Sequence, residues 1–142
     1  MTSGDRPPSR HLALDTSAYS HLRRRHKKVL DWVAAADAVD LSTTVIGELE
    51  AAFRLGTRYQ ENSSALSEFL AEPFVALRPV SQSVAKRYGE LFARLRQAGT
   101  PLPVNDIWIA ASALDSRAHL ITFDSDFARI EGLECTVLKV DS

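Results

Sequence analysis

Acidic side chains stand beside apolar segments at well-separated places in the chain: Asp15, Glu48, Asp106 and Asp124. Asp15 ends the apolar segment 11–15, and Asp124 follows the apolar segment 119–123. Carboxylate oxygens without histidine or cysteine partners suit Mg²⁺ or Mn²⁺. Such a cation can lower the pKa of a water molecule and stabilise the charge that develops on a phosphate. These residue types therefore indicate hydrolysis of a phosphodiester, provided that the fold brings the acids together.

Short apolar segments alternate with helical segments along the chain. Strands are predicted at residues 11–15, 39–42, 74–77, 119–123 and 134–138. This alternation is typical of a parallel sheet with helices on both faces. We therefore expect an α/β fold, with one three-layer α/β/α domain and a central, mainly parallel sheet. The domain is predicted over residues 11–140, after a polar, disordered tail at residues 1–10.

The segment 104–114 is apolar on every side when it is drawn as a helix, which is typical of a buried helix. Asn105 is predicted to cap this helix, and Asp106 lies in its first turn, where the helix dipole favours a negative charge. One alternative is that Asp106 serves only the helix end. In a parallel sheet, however, helix N-termini lie at the same edge as strand C-termini. All four acids are therefore expected at one edge, where their mutual repulsion favours a bound cation.

Composition limits the classes of protein. The chain of 142 residues suits one domain, and a single cysteine, Cys135, excludes an internal disulfide and a zinc site built from several cysteines. The net charge of −1 neither supports nor excludes a polyanionic partner. No segment has the pattern of a signal peptide or the length of a membrane span, so we expect a cytoplasmic protein without a membrane partner.

The order of the motifs carries a resemblance to a known family. LDTSAY, TTVIGELEAAFRLG, PLPVNDIWIAASAL and LITFDSDF follow one another over nearly the whole chain. Together they resemble the PIN domain, and specifically the VapC-type toxins of bacterial toxin–antitoxin pairs. The resemblance implies a PIN-like fold and an endoribonuclease that depends on Mg²⁺ or Mn²⁺. It also implies an RNA substrate, inhibition by a VapB-like antitoxin and a homodimer, for which the apolar face of the helix at residues 83–98 is one candidate surface.

The same resemblance assigns roles to the acids. The four acids of the family fall on Asp15, Glu48, Asp106 and Asp124, which would be the catalytic residues. Asp15 and Asp106 would be the most direct metal ligands, and Glu48 and Asp124 would complete the pocket, partly through water.

Several neighbouring residues have two interpretations each. Asp126 is either a fifth acid of the pocket or, as we favour, the cap of a short helix. Asn105 either orients Asp106 or a metal-bound water, or it only caps its helix. The supporting hydroxyl beside the first acid belongs to Thr16 or Ser17. Thr122 either supports Asp124 or, as we favour, is an ordinary strand residue.

A basic run between the first two helical segments contains Arg23, Arg24, Arg25, Lys27 and Lys28. We favour a solvated turn between helices, since charge runs usually mark solvated surface. The alternative is a patch that contacts RNA phosphates. At the level of the whole protein, the alternative to a nuclease is a PIN-fold protein that binds RNA or a partner without cutting. A dinucleotide-binding domain is excluded because no GxGxxG motif follows a strand.

Overall fold

Five parallel strands form one central sheet in the computed structural model, which describes residues 6–141. The strands are β1 (His11–Leu14), β2 (Ala38–Ser42), β3 (Val75–Arg78), β4 (His119–Thr122) and β5 (Cys135–Val137). Their order across the sheet is β3-β2-β1-β4-β5, and every neighbouring pair is parallel. The predicted α/β fold with a central parallel sheet is confirmed.

Six α-helices connect the strands. They are α1 (Thr16–Arg23), α2 (Lys27–Ala35), α3 (Thr43–Leu55), α4 (Tyr59–Leu70), α5 (Gln82–Gln97) and α6 (Val104–Ser116). A 3₁₀ segment, Ser125–Arg129, follows β4. Crossovers between parallel strands are right-handed. The chain moves outward from β1 to β3 and then returns across the sheet to β4, so α1–α4 and the pair α5–α6 cover opposite faces.

The reversal of direction lies between the central strand β1 and its neighbour β4. Their backbones pair directly, with Leu14 beside Ile121. Ligands of open α/β sheets bind in the crevice where the strand order reverses, at the carboxyl ends of the strands. Asp15 and Asp124 follow these two strands, so the topology alone places both acids at that crevice.

The buried helix α6 and the strands beneath it make the centre of the core. Ile107, Ile109, Ala110 and Ala111 are all at most 4% exposed, and Leu12 and Leu120 of the central strands are fully buried. Their burial fixes the position of the first turn of α6, which carries Asp106, against the sheet edge.

Helix starts differ from the prediction at two functionally important places. The sequence favours Thr16 or Ser17 as the cap of the first helix, but Asp15 is the N-cap of α1, and its side chain accepts a hydrogen bond from the Ala18 N–H. Asn105 does not cap α6, because the helix begins at Val104 after Pro103 and no side chain caps it. The ring of Pro103 fixes its φ angle at a value that suits the start of a helix. The first turn of α6 therefore forms without a side-chain cap.

The ends of the chain and the proposed surfaces can be compared with the prediction. Residues 1–5 of the predicted tail lie outside the described residues, and the backbone carbonyl of Arg10 accepts hydrogen bonds from Asp37 and Ala38. Within residues 6–141, none of the helices combines the length and the apolar character that a membrane span requires. The apolar face of α5 is not a free dimer surface, because Val84, Leu91 and Leu95 are buried within the chain.

Candidate active site

Asp15 is the most buried acid at the sheet edge, with 4% of its surface exposed. Its Oδ1 accepts hydrogen bonds from the Ser17 hydroxyl at 2.7 Å and from the Ala18 N–H at 2.8 Å. Its Oδ2 accepts one from the Thr122 hydroxyl at 2.5 Å. Asp15 therefore serves both as the cap of α1 and as an acid with a fixed orientation.

Thr122 and Ser17 connect the first and fourth strands around this carboxylate. The Thr122 hydroxyl also accepts a hydrogen bond from the Asp124 N–H at 2.9 Å, and the Ser17 hydroxyl accepts one from the Phe123 N–H at 3.0 Å. Thr122 is therefore more than the ordinary strand residue that we favoured. Sequence position alone showed only that a hydroxyl residue stood two places before Asp124.

Glu48 is held at the first turns of two helices. Its Oε1 accepts a hydrogen bond from the Thr16 hydroxyl at 2.5 Å, and its Oε2 accepts one from the Asn105 side-chain amide at 3.2 Å. Two of the three predicted supporting residues, Thr16 and Asn105, thus contact Glu48, and this contact of Asn105 was not among the roles considered for it.

Asp106, Asp124 and Asp126 form a cluster with metal-binding dimensions. One carboxylate oxygen from each lies within 4.8 Å of those of the other two. The cap of the 3₁₀ segment is Asp124, whose Oδ1 accepts the Asp126 N–H at 2.9 Å. The favoured role of Asp126 as a cap is therefore wrong, and its carboxylate lies in the cluster, where it also pairs with Arg129 at 3.0 Å.

We name the acidic centre as the set Asp15, Glu48, Asp106, Asp124 and Asp126. Burial, followed by the negative charges of the other four members, raises the pKa of Asp106 to about 6. Burial also raises the pKa of Asp15, and its three hydrogen bonds oppose that shift. Each acid thus makes ionisation of Asp106 harder, as expected for carboxylates that share one site without a cation.

The basic run is divided by the turn between α1 and α2. Arg23 ends α1 and Lys27 begins α2, so the run spans a turn between two helices, and contact of this run with RNA phosphates stays a prediction. Lys27 pairs with Asp31 at 2.7 Å, and the Lys28 ammonium lies 5.8 Å from the centre of the Trp32 ring. Arg25 occupies the turn itself with a φ of 65°.

Comparison with known families agrees with this sheet and its acidic centre. Residues 12–133 match the family model of the PIN domain. The chain therefore belongs to the PIN domain family.

Named relatives give a closer comparison. Ribonuclease VapC1 of Haemophilus influenzae is 31% identical over 127 residues, which cover 85% of this chain and 92% of the relative. Plasmid stability protein StbB of Pseudomonas syringae pv. tomato is 34% identical over 131 residues, covering 86% and 94%. The crystal structure of VapBC2 from Rickettsia felis, bound to a DNA fragment from its promoter, superposes with a TM-score of 0.79 at 26% identity, covering 90% of this chain and 98% of that chain. Within the PIN family, the chain thus groups with the VapC ribonucleases.

Proposed function

We propose that this protein is a metal-dependent endoribonuclease, the toxin of a VapBC-type toxin–antitoxin pair, which hydrolyses RNA phosphodiester bonds at the acidic centre. The observation that carries the proposal is the cluster of Asp106, Asp124 and Asp126, whose carboxylate oxygens lie within 4.8 Å of one another at the switch point of a PIN-domain sheet. The named ribonuclease relatives support the same activity.

The residues of the acidic centre fit a hard divalent cation. All the available donors are carboxylate oxygens, which suit Mg²⁺ or Mn²⁺. Asp106, Asp124 and Asp126 would hold the cation, with Asp15 and Glu48 beside them to complete the negative pocket. The raised pKa of Asp106 supports this assignment, because a cation would relieve the repulsion that raises it. When bound, the cation supplies activation of water and stabilisation of the charge that develops on the phosphate.

The chain's own residues position this chemistry. Ser17, Ala18 and Thr122 orient the Asp15 carboxylate, and Thr16 and Asn105 hold Glu48 across two helix ends. The hydrogen bonds to Asp15 and Glu48 come from residues next to rigid helix and strand ends, so these carboxylates would face the substrate without further ordering.

The decisive experiment is cleavage of total cellular RNA by the purified, partner-free protein with Mg²⁺, with Mn²⁺ and with EDTA. We expect discrete new RNA ends that require a divalent cation and that disappear in the variant Asp15→Asn with Asp106→Asn. A matched control, Asp31→Asn, removes a carboxylate of α2 outside the acidic centre and should cut like the wild type. Equal cleavage by the wild type and the double variant would refute the proposal, and a folded wild type that binds RNA without cutting it would favour the non-cutting alternative.

A VapB-like antitoxin is the proposed partner, and the similarity to the VapBC2 complex of Rickettsia felis supports it. A basic side chain from that partner, placed among five acids, would compete with the cation for the same charge. We also propose that the protein forms a homodimer, as the resemblance implies. We further propose that it is located in the cytoplasm, where it would encounter both RNA and the antitoxin. Size-exclusion chromatography with light scattering, on the chain alone and with its partner, tests both assemblies.

A further inference from the structure

A polar groove lies between α1, α3 and α4, and one of its lining residues, Leu49, directly follows Glu48 of the acidic centre in the sequence. We name it the arginine groove; its volume is about 480 Å³, and it is lined by residues that include Tyr19, Arg23, Arg24, Leu49, Phe53 and Arg58. The groove continues a seam that begins where the Thr16 hydroxyl bonds Glu48. Residues 16, 19, 20 and 23 lie on one side of α1, and Arg23 is about 10 Å along the helix from Thr16.

The charge of this groove is strongly unbalanced. Three arginines line it against one carboxylate, that of Glu61, which pairs with Arg58 at 2.8 Å. Neither Arg23 nor Arg24 forms an ion pair with a carboxylate of residues 6–141, and both are exposed. Neighbouring unpaired guanidinium groups repel each other, and an anion that bridges them would remove this repulsion.

Tyr19 gives an independent indication of a missing polar partner. Its side chain is 1% exposed and lines the groove, and its hydroxyl has no hydrogen-bond partner among residues 6–141. Buried polar atoms are almost always paired, so an unpaired hydroxyl beside a groove marks a place where a ligand or water is expected.

We infer that the arginine groove binds the phosphate backbone of single-stranded RNA that flanks the scissile bond, with Arg23, Arg24 and Arg58 as the phosphate contacts. This inference rests on the proposed nuclease function, because the RNA is assigned from the adjoining acidic centre. A positively charged groove with an aromatic wall, here Phe53, is the usual arrangement for a single strand. The structure thus divides the basic run: Arg23 and Arg24 contact RNA, whereas Lys27 and Lys28 are engaged within α2.

The test measures binding of a fluorescein-labelled oligouridylate as a function of monovalent salt, with EDTA present so that nothing is cut. All variants carry Asp106→Asn. Each phosphate contact contributes roughly 0.7 to the slope of log K against log salt for single strands. We expect Arg23→Gln with Arg24→Gln to reduce the slope by about 1.4, and Arg58→Gln to reduce it by about 0.7.

The matched control is Lys86→Gln with Arg94→Gln, which removes the same charge from exposed positions of α5, on the other face of the sheet. Its slope should equal that of the parent. An unchanged slope and affinity in the folded groove variants, judged by circular dichroism, would overturn the inference and leave a protein segment as the occupant of the groove. RNA binding is measured without a divalent cation and does not depend on cleavage. Failure of the wild type to cleave RNA would therefore refute the nuclease function, whereas an unchanged salt dependence would refute RNA binding in the arginine groove.

Discussion

At the scale of single residues, three carboxylates of the acidic centre are each held by a different set of hydrogen bonds. Asp15 accepts three hydrogen bonds, Glu48 accepts two from different helices, and Asp124 caps the segment that follows β4. Asp106 has the pKa that is raised to about 6. The centre therefore combines acids that are oriented by hydrogen-bond donors with Asp106, whose pKa is raised by burial and by repulsion from the other acids.

Thr122 tests the positioning of Asp15. We expect Thr122→Val to lower the cleavage rate roughly 10- to 100-fold, as for partners that orient metal-site residues. The free energy of unfolding should fall by about 1–3 kcal/mol, because the buried Asp15 loses a donor. Thr122→Ser keeps the hydroxyl and should cut within a few-fold of the wild type. Equal losses in both variants would assign Thr122 a packing role instead.

Asp106 tests the charge balance. Asp106→Asn should reduce cation-dependent cleavage by at least about 100-fold, since the cluster loses an anionic member. In EDTA at neutral pH, the same variant should be more stable than the wild type by about 1 kcal/mol. This figure is below the full value of the pKa shift because the half-buried group is partly screened by solvent. Urea denaturation measures the second effect, and a less stable variant would contradict it.

At the scale of elements, the acidic centre is built mainly from the ends of strands and helices, and Glu48 comes from the second turn of α3. Helix α6 is a clear example, since its first turn carries Asp106 and its last residues are followed by Arg117 in the left-handed conformation, with a φ of 59°. This conformation is costly for residues other than glycine.

Arg117→Gly should therefore stabilise the protein by about 0.5–1 kcal/mol, because glycine adopts the left-handed C-cap without strain. Cleavage should not change, since Arg117 lies about 16 Å along the helix from Asp106. Thermal unfolding and the RNA assay measure the two effects. Arg117→Ala serves as the control and should bring no such gain, whereas an equal gain in both variants would indicate that loss of the arginine charge is responsible.

The sequence was sufficient to predict that the four acids lie at one edge of the sheet. It was insufficient to predict which residues form hydrogen bonds with them. The strand and helix pattern places Asp15, Glu48, Asp106 and Asp124 because parallel topology fixes which ends meet. The pattern does not indicate whether Asp124 or Asp126 caps the 3₁₀ segment by accepting a backbone N–H. That choice depends on the φ and ψ angles of the residues that follow the strand.

Contacts between residues that are far apart in the sequence could not be predicted either. Asn105 lies far from Glu48 in sequence, and only the packing of α6 against α3 brings its amide to that carboxylate. The arginine groove likewise required α4 to bring Arg58 next to Arg23, which no local pattern indicates.

At the scale of the whole molecule, cation binding and proton binding should oppose each other. The raised pKa of Asp106 means that the metal-free folded state holds this proton more tightly than the unfolded state does. The stability that this group contributes is therefore fully present below about pH 4 and is lost as the pH rises through about 6.

Saturating Mg²⁺ should thus raise the melting temperature more at pH 7.5 than at pH 5, because at pH 5 the cation must displace the proton of Asp106. At a free Mg²⁺ concentration of 100 times the dissociation constant, the free energy of unfolding should rise by about 2.7 kcal/mol. Scanning calorimetry with and without Mg²⁺ at the two pH values measures the difference. The Asp106→Asn variant is the control, and a larger increment at pH 5 in the wild type would contradict the expected competition.

The central position of β1 has a consequence for the synthesis of the chain. β1 is made first, but its neighbour β4 and the segment with Asp124 and Asp126 are made near the end, so the acidic centre needs residue 126 of 142. Nascent chains grow from the N-terminus, and their early part cannot pair with strands that do not yet exist. A polypeptide still attached to the ribosome therefore lacks the complete centre for most of its translation, and products of early termination are harmless to the RNA of the cell that makes them.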